Sequence, residues 1–148
     1  MLLVKPVLAV ALLLSAPFGQ TDEPPQGAIV VNIKDVDSND GRLIVALFSG
    51  PDGFPAVFNK SLKLVTVPAN QHTAAVTFDR VPFGDYAVTV CHDRDGDGRL
   101  KTNFLGMPLE PVGNSNNPGG IPNFKKCRFE HSSTSTAIDT IRLVRLQK

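Results

Sequence analysis

The sequence predicts an all-β protein, an antiparallel β-sandwich of about seven strands with one long irregular loop. Three observations carry that expectation. Apolar and polar residues alternate with a period of two over short runs, the pattern of strands buried on one face. The runs are separated by clusters rich in Asp, Asn, Gly and Pro ("SNDG", "GPDG", "VPAN", "VPFG"), which suit tight turns. No convincing amphipathic helix of three turns appears, so nothing is at hand to cover a parallel sheet.

The elements follow in order. "GAIVVNIK" (27–34) places Ile29, Val31 and Ile33 on one face. "RLIVALF" (42–48) does the same with Leu43, Val45 and Leu47, although Ile44, Ala46 and Phe48 make its other face apolar too. "SLKLVTV" (61–67) and "HTAAVTF" (72–78) come next, the latter alternating Ala74, Val76 and Phe78 with polar partners. "DYAVTV" (85–90), "CRFEH" (127–131) and "AIDTIRLVRL" (137–146) complete the set. Between the first two runs "SNDG" reads as a hairpin turn, because Asp40-Gly41 tolerates positive φ. Gly84 two residues before Tyr86, in "DRVPFGDYAV", is similar to the tyrosine corner of immunoglobulin-like and transthyretin-like sandwiches. The plain alternative is a tyrosine half-buried in a strand.

A chain of 148 residues suggests one domain, here residues 26–148. Residues 1–20 read as a secretory signal peptide: one cation (Lys5), an apolar run from Val7 to Leu14, then small and turn-forming residues. Cleavage is expected between residues 16 and 22. The apolar run is shorter than the roughly 20 residues a membrane span needs, and no second hydrophobic segment follows. The chain is therefore expected to be exported, to the periplasm or beyond, with no transmembrane segment. A formal net charge of +1, without any long block of like charge, gives no electrostatic case for nucleic acid.

Cys91 and Cys127 make an even count, and thiols in an oxidising compartment tend to pair, so a disulfide is expected. The alternative is two buried thiols acting as small apolar residues. Alternation cautions against pairing. Cys127 shares its strand face with Phe129, whereas Cys91 lies opposite Tyr86, Val88 and Val90.

Residues 98–124 break the strand pattern with seven positions of Gly or Pro before Gly120 and a run of Asn. A structureless insertion of this length is more often functional or disordered than neutral. It directly follows "VCHDRDGDGRLKTNFLG" (90–106), which is written like the front half of a calcium loop. Asp93, Asp95 and Asp97 would fill the first, third and fifth loop positions, Gly98 the sharp turn, and the Arg99 backbone carbonyl the seventh. The second half departs from that pattern, with Lys101 at the ninth position and Phe104 where a bidentate Glu belongs. Glu110 or Asp85 could complete the shell from outside, and such a site would be weak. Without metal, the same Asp-Gly run makes a good corner, because Asp side chains accept bonds from their own following backbone.

No catalytic residue is assigned. His92 and Asp93 are neighbours on a strand, so their side chains point to opposite faces. Ser115 lacks a nucleophile elbow, and His72 and His131 have no metal-ligand spacing to His92. "NPGG" lacks the Lys and helix of a phosphate cradle. If the long loop forms a site, His92, Asn103, Glu110, Ser115 and Asn116 are its candidates.

The run "FDRVPFGDYAVTVCHDRDGDGRLKTNFLGMPLEPVGNSNN" followed by "PNFKKCRF" resembles a family of uncharacterised exported bacterial proteins. Their pattern runs roughly P-x-G-x-Y-A, H-D-x-N-x-N-G-x-L-D-T-N, then G-x-P-x-E-x-x-G-x-S-N-N. Tyr86, His92, Asp93, Gly98, Asn103, Glu110, Ser115, Asn116 and Asn117 fall on its positions. The resemblance implies a β-sandwich and export, and it implies no activity. Lys101 stands where that pattern has Asp, and Asp95 and Asp97 stand where Asn is usual. Cys91 and Cys127 fall where it has apolar or small residues.

Three functional classes follow as expectations. The first is a non-enzymatic binding or structural module of the cell envelope, with calcium stabilising the Asp loop. The second is a small-molecule or carbohydrate binder using residues 98–124, its partner an envelope protein or glycan. The third is a hydrolase built on His92 and nearby carboxylates, which needs a nucleophile or activated water beside His92.

Overall fold

The computed structural model describes residues 22–146, so the expected signal peptide, residues 1–20, lies outside the described residues. The rest is a sandwich of two sheets that do not close into a barrel. The first sheet has the order β4 (His72–Pro82), β1 (Gln26–Val36), β8 (Ser135–Ala137), with β9 (Ile141–Arg142) also on β1. The second runs β3 (Lys63–Pro68), β2 (Arg42–Phe48), β5 (Gly84–Asp93), β6 (Val112–Asn114), with β7 (Phe129–His131) on the other end of β5.

The alternation read from sequence sets which face is buried. Ile29, Val31 and Ile33 of β1, Leu43, Val45 and Leu47 of β2, Val76 and Phe78 of β4, and Tyr86, Val88 and Val90 of β5 meet in one core between the sheets. Each such side chain contributes about 1.5–3 kcal/mol when fully removed from water. The second apolar face of β2 is covered as well. Ile44 packs with Cys91 and Val112 on the outside of the sheet, under Phe58 and Leu100. At the other end of that face Phe48 meets Phe54, which in turn meets Phe124, edge to face.

Tyr86 forms the corner anticipated for it, its hydroxyl donating to the Pro82 carbonyl at 2.7 Å. Other details correct the sequence reading. "SNDG" does not make a hairpin: β1 and β2 lie in different sheets, and the turn arches across the sandwich. Gly41 permits the arch. Its φ is +68°, and a Cβ there would lie 2.1 Å from the Asp93 carbonyl oxygen, closer than any side chain tolerates.

The sandwich is not wholly antiparallel, because β8 and β9 run parallel to β1. The last apolar run is broken between Ala137 and Ile141, and Val144 then bridges to Val112 of the other sheet. The C-terminal segment thereby stitches the two sheets together. Gly113 allows this, since a Cβ would meet the Arg142 carbonyl oxygen at 2.4 Å.

"CRFEH" is not one strand either. Cys127 ends a single helical turn, α1 (Phe124–Cys127), because the Asn123 side chain caps it by accepting from the Lys126 N–H at 3.0 Å. The stretch 98–124 is not structureless, since it contains β6 and buries residues from Glu110 to Ser115.

Cys91 and Cys127 are both free and buried, and the expected disulfide is absent. Cys91 lies in the Ile44–Val112 cluster. Cys127 ends α1, and its carbonyl accepts from the Ser115 hydroxyl, which in turn accepts from the Val88 N–H. Val88 and Cys91 are three strand residues apart, about 10 Å, whereas a disulfide needs Cα atoms within about 7 Å.

Candidate functional site

β5 ends at Asp93, directly opposite Arg42, the first residue of β2. The Asp93 carboxylate is wholly buried, with Arg42 Nε 2.9 Å from its Oδ2. The chain then turns back over this carboxylate. Gly96 and Asp97 donate their N–H groups to Oδ1 at 2.9 and 3.1 Å, and Gly98 donates to Oδ2 at 2.9 Å. Arg42 Nη2 closes the ring on the Gly96 carbonyl at 2.8 Å. Burial alone would raise the pKa of Asp93. The Arg42 hydrogen bond and charge, with the Gly98 and Asp97 N–H groups, outweigh it and hold the carboxyl below its usual range.

Asp93, Asp95 and Asp97 do converge, with one carboxylate oxygen from each within 4.8 Å of the others. Lys101 occupies that convergence. Its ammonium bonds Asp95 Oδ2 and lies 3.4 Å from Asp97 Oδ2. The remaining oxygens turn inward, Asp97 Oδ1 accepting from the Arg99 N–H at 2.9 Å.

Calcium needs six to eight oxygens. Here both Asp93 oxygens are filled by four N–H donors, and the outer oxygens already face a cation. As folded, the Asp93 oxygens are engaged by the chain's own donors and the outer Asp95 and Asp97 oxygens by Lys101. Glu110 is buried away from the group, its Oε2 accepting from the Cys91 thiol at 3.6 Å. Burial first, then the charge of Glu110, pushes the Cys91 thiol up in pKa.

His92 points the other way, as strand alternation requires. It is fully buried, and its Nε2 donates to the Asp40 carbonyl at 2.8 Å. Its Nδ1 lies 3.2 Å from Asp37 Oδ1, near enough to feel the charge but out of line for a hydrogen bond, so this nitrogen is buried without a hydrogen-bond partner. Asp37 also pairs with Arg145 at 2.6 Å. Burial would raise the Asp37 pKa, and the Arg145 hydrogen bond with the Arg94 and Arg145 charges lowers it on balance.

The remaining loop candidates are spread along the molecule. Asn103 folds its own turn, its Oδ1 accepting from the Leu105 and Met107 N–H groups at 2.9 and 3.0 Å. Ser115 lies beyond β6 at the α1 end. Its hydroxyl donates to the Cys127 carbonyl at 2.6 Å and accepts from the Val88 N–H at 2.9 Å. Asn116, at φ +64°, donates to the Lys126 and Arg128 carbonyls. Asn117 does as much, bonding the Thr140 carbonyl and the Arg142 N–H. Arg42 and the pairing role of Lys101 are what sequence reasoning missed. Only strand register places Arg42 across from Asp93.

A depression of about 430 Å³ lies beside the Asp corner, lined by Phe58, Asn59, Gly98, Arg99 and Leu100. A larger one, about 570 Å³, lies on the outside of β1 and β4 among Asn32, Lys34, Asn70 and Thr73, away from every candidate residue.

The fold and this corner define a two-sheet β-sandwich whose acidic turn is tied by its own arginine, lysine and backbone. A profile described as an uncharacterized protein conserved in bacteria (DUF2141) matches residues 31–139, and the chain belongs to that family. No curated protein and no solved structure matches the chain.

Proposed function

We propose that the chain is an exported, non-enzymatic structural or binding module of the bacterial cell envelope. One observation carries this reading. The polar side chains that look chemical in the sequence are spent on the fold itself. Asp93 binds Arg42 and three N–H groups, Asn103 its own turn, and Ser115 and Asn116 the C-terminal end of α1. Such groups hold a shape and are not free to bind a reacting atom. In this reading Arg42 and Lys101 supply the cations of the Asp corner and calcium is not required.

Export is supported by the charge, apolar run and small residues of positions 1–20. Fractionation of cells producing the C-terminally tagged chain tests it. Recovery outside the cytoplasm, with a mass lacking the signal segment, is the expected result. A cytoplasmic chain that keeps those residues contradicts it.

A small-ligand or glycan-binding reading is favoured by the depression beside the Asp corner, whose lining includes Phe58, Asn59 and Arg99. Glycan-array binding lost in Arg99→Ala with an unchanged melting temperature would support it. The hydrolase reading has less support, because His92 is fully buried and bound to the Asp37–Asp40 arch.

A further inference from the structure

We propose that the depression on the outer face of β1 and β4 binds an acidic saccharide, with its acid group held by Lys34 and Arg142 and its hydroxyls by the polar side chains around them. The depression, about 570 Å³, is lined by Asn32, Lys34, Asn70, Thr73 and Thr140. Its size is within the range of small-ligand sites.

Sheet register builds the site. Ile33 and Ile141 are partners on β1 and β9, and both enter the core. The next pair, Lys34 and Arg142, therefore faces outward together. On the other side of β1, Thr73 of β4 is the partner of Lys34, and Ala75 that of Asn32. Thr73, Lys34 and Arg142 thus form one row across three strands. Past that row the register slips between Lys34 and Val36, with Asp35 and His72 in left-handed backbone at φ +62° and +81°. Such a bulge bends the strands and sharpens their twist at this end of the face. Asn117 fixes the third strand, its side chain bonding the Thr140 carbonyl and the Arg142 N–H at 2.9 and 2.8 Å.

Charge says what fits. Neighbouring strands lie about 4.8 Å apart, and like charges on register partners oppose the pairing. Among the described residues neither Lys34 nor Arg142 forms an ion pair, although Asp35 and Asp139 are near them in sequence. An anion seated between the ammonium and the guanidinium turns repulsion into charge-assisted hydrogen bonds.

The surroundings favour a ligand rich in hydroxyls. Among the described residues the side chains of Asn32, Asn70, Thr73 and Thr140 make no hydrogen bond. Asn103, Ser115 and Asn116, by contrast, are spent on the fold. No aromatic ring lines the depression, so nothing there stacks a base. The site stands apart from the depression beside the Asp corner. It does not depend on export, because the purified chain tests it.

The test is calorimetric titration at low salt with oligogalacturonate, a sulfated oligosaccharide and fully methyl-esterified oligogalacturonate. The expected result is binding of an acidic probe and none of the neutral ester. Which acidic probe binds tells a carboxylate from a sulfate ester. Affinity should fall about tenfold in Lys34→Gln and in Arg142→Gln. Neither variant should lower the melting temperature of the free protein, because each removes a repulsion. A lowered melting temperature contradicts the repulsion on which the site is built. Binding of neither acidic probe overturns the proposal, as does ester binding equal to that of the acid or full affinity in both variants. Binding lost in Arg99→Ala but kept in Lys34→Gln also overturns it, and assigns the saccharide to the depression beside the Asp corner.

Discussion

Arg42 and Asp93 stand directly across from each other on β2 and β5, and the guanidinium Nε lies 2.9 Å from the buried carboxylate. This pair converts an acidic turn into a structural joint. Asp93→Ala leaves the N–H groups of Gly96, Asp97 and Gly98 without their acceptor and Arg42 without its partner. We expect a loss of about 3 kcal/mol in urea unfolding. Asp95→Ala, at an exposed pair with Lys101, should cost less than about 1 kcal/mol.

Acid should undo the same joint. Asp93 and Asp37 both have folded-state pKa values held below the ordinary carboxylate value. Their stabilisation is therefore present above the unfolded pKa, about 3.9, and is lost as pH falls through the lower folded values. Urea midpoints should be flat from neutral pH down to about 5 and then fall. Asp93→Asn should be less stable at neutral pH and should lose part of that acid slope.

Ser115 ties β5 to α1 through two buried bonds, accepting from Val88 and donating to Cys127. Ser115→Ala leaves a buried N–H and a buried carbonyl unpaired and should cost about 2 kcal/mol. Hydrogen exchange should show the Val88 amide losing protection, and the amides of β1 should be unaffected.

The thiol state is directly measurable. With both cysteines free and buried, Ellman's reagent should find two thiols in denaturant. The folded protein should react slowly, because burial raises both thiols in pKa. No thiol in denaturant would restore the disulfide.

Much of the fold was legible in the sequence, because burial on one face writes itself as alternation. Ile29, Val31 and Ile33, or Leu43, Val45 and Leu47, lie in the core where the period of two puts them. Non-local geometry was not legible. "SNDG" carries the same turn chemistry whether it closes a hairpin or arches between sheets, and the close approach of Gly41 to Asp93 decides which. Val112–Asn114 are too few to show a period, so β6 stayed hidden in the loop. At the candidate site the convergence of Asp93, Asp95 and Asp97 followed from spacing. The occupancy of that cluster by Lys101 and the pairing of Arg42, 51 residues away from Asp93, depend on register that no local pattern carries.

The central claim is that the Asp corner is held by Arg42, Lys101 and its own backbone without calcium. Thermal unfolding in EDTA and in millimolar calcium, beside Asp97→Ala, tests it most directly. A ligand that binds only the native state must raise the melting temperature. Equal melting temperatures are expected for the wild type in both solutions. A rise in calcium that Asp97→Ala abolishes would contradict it and make the corner a metal site.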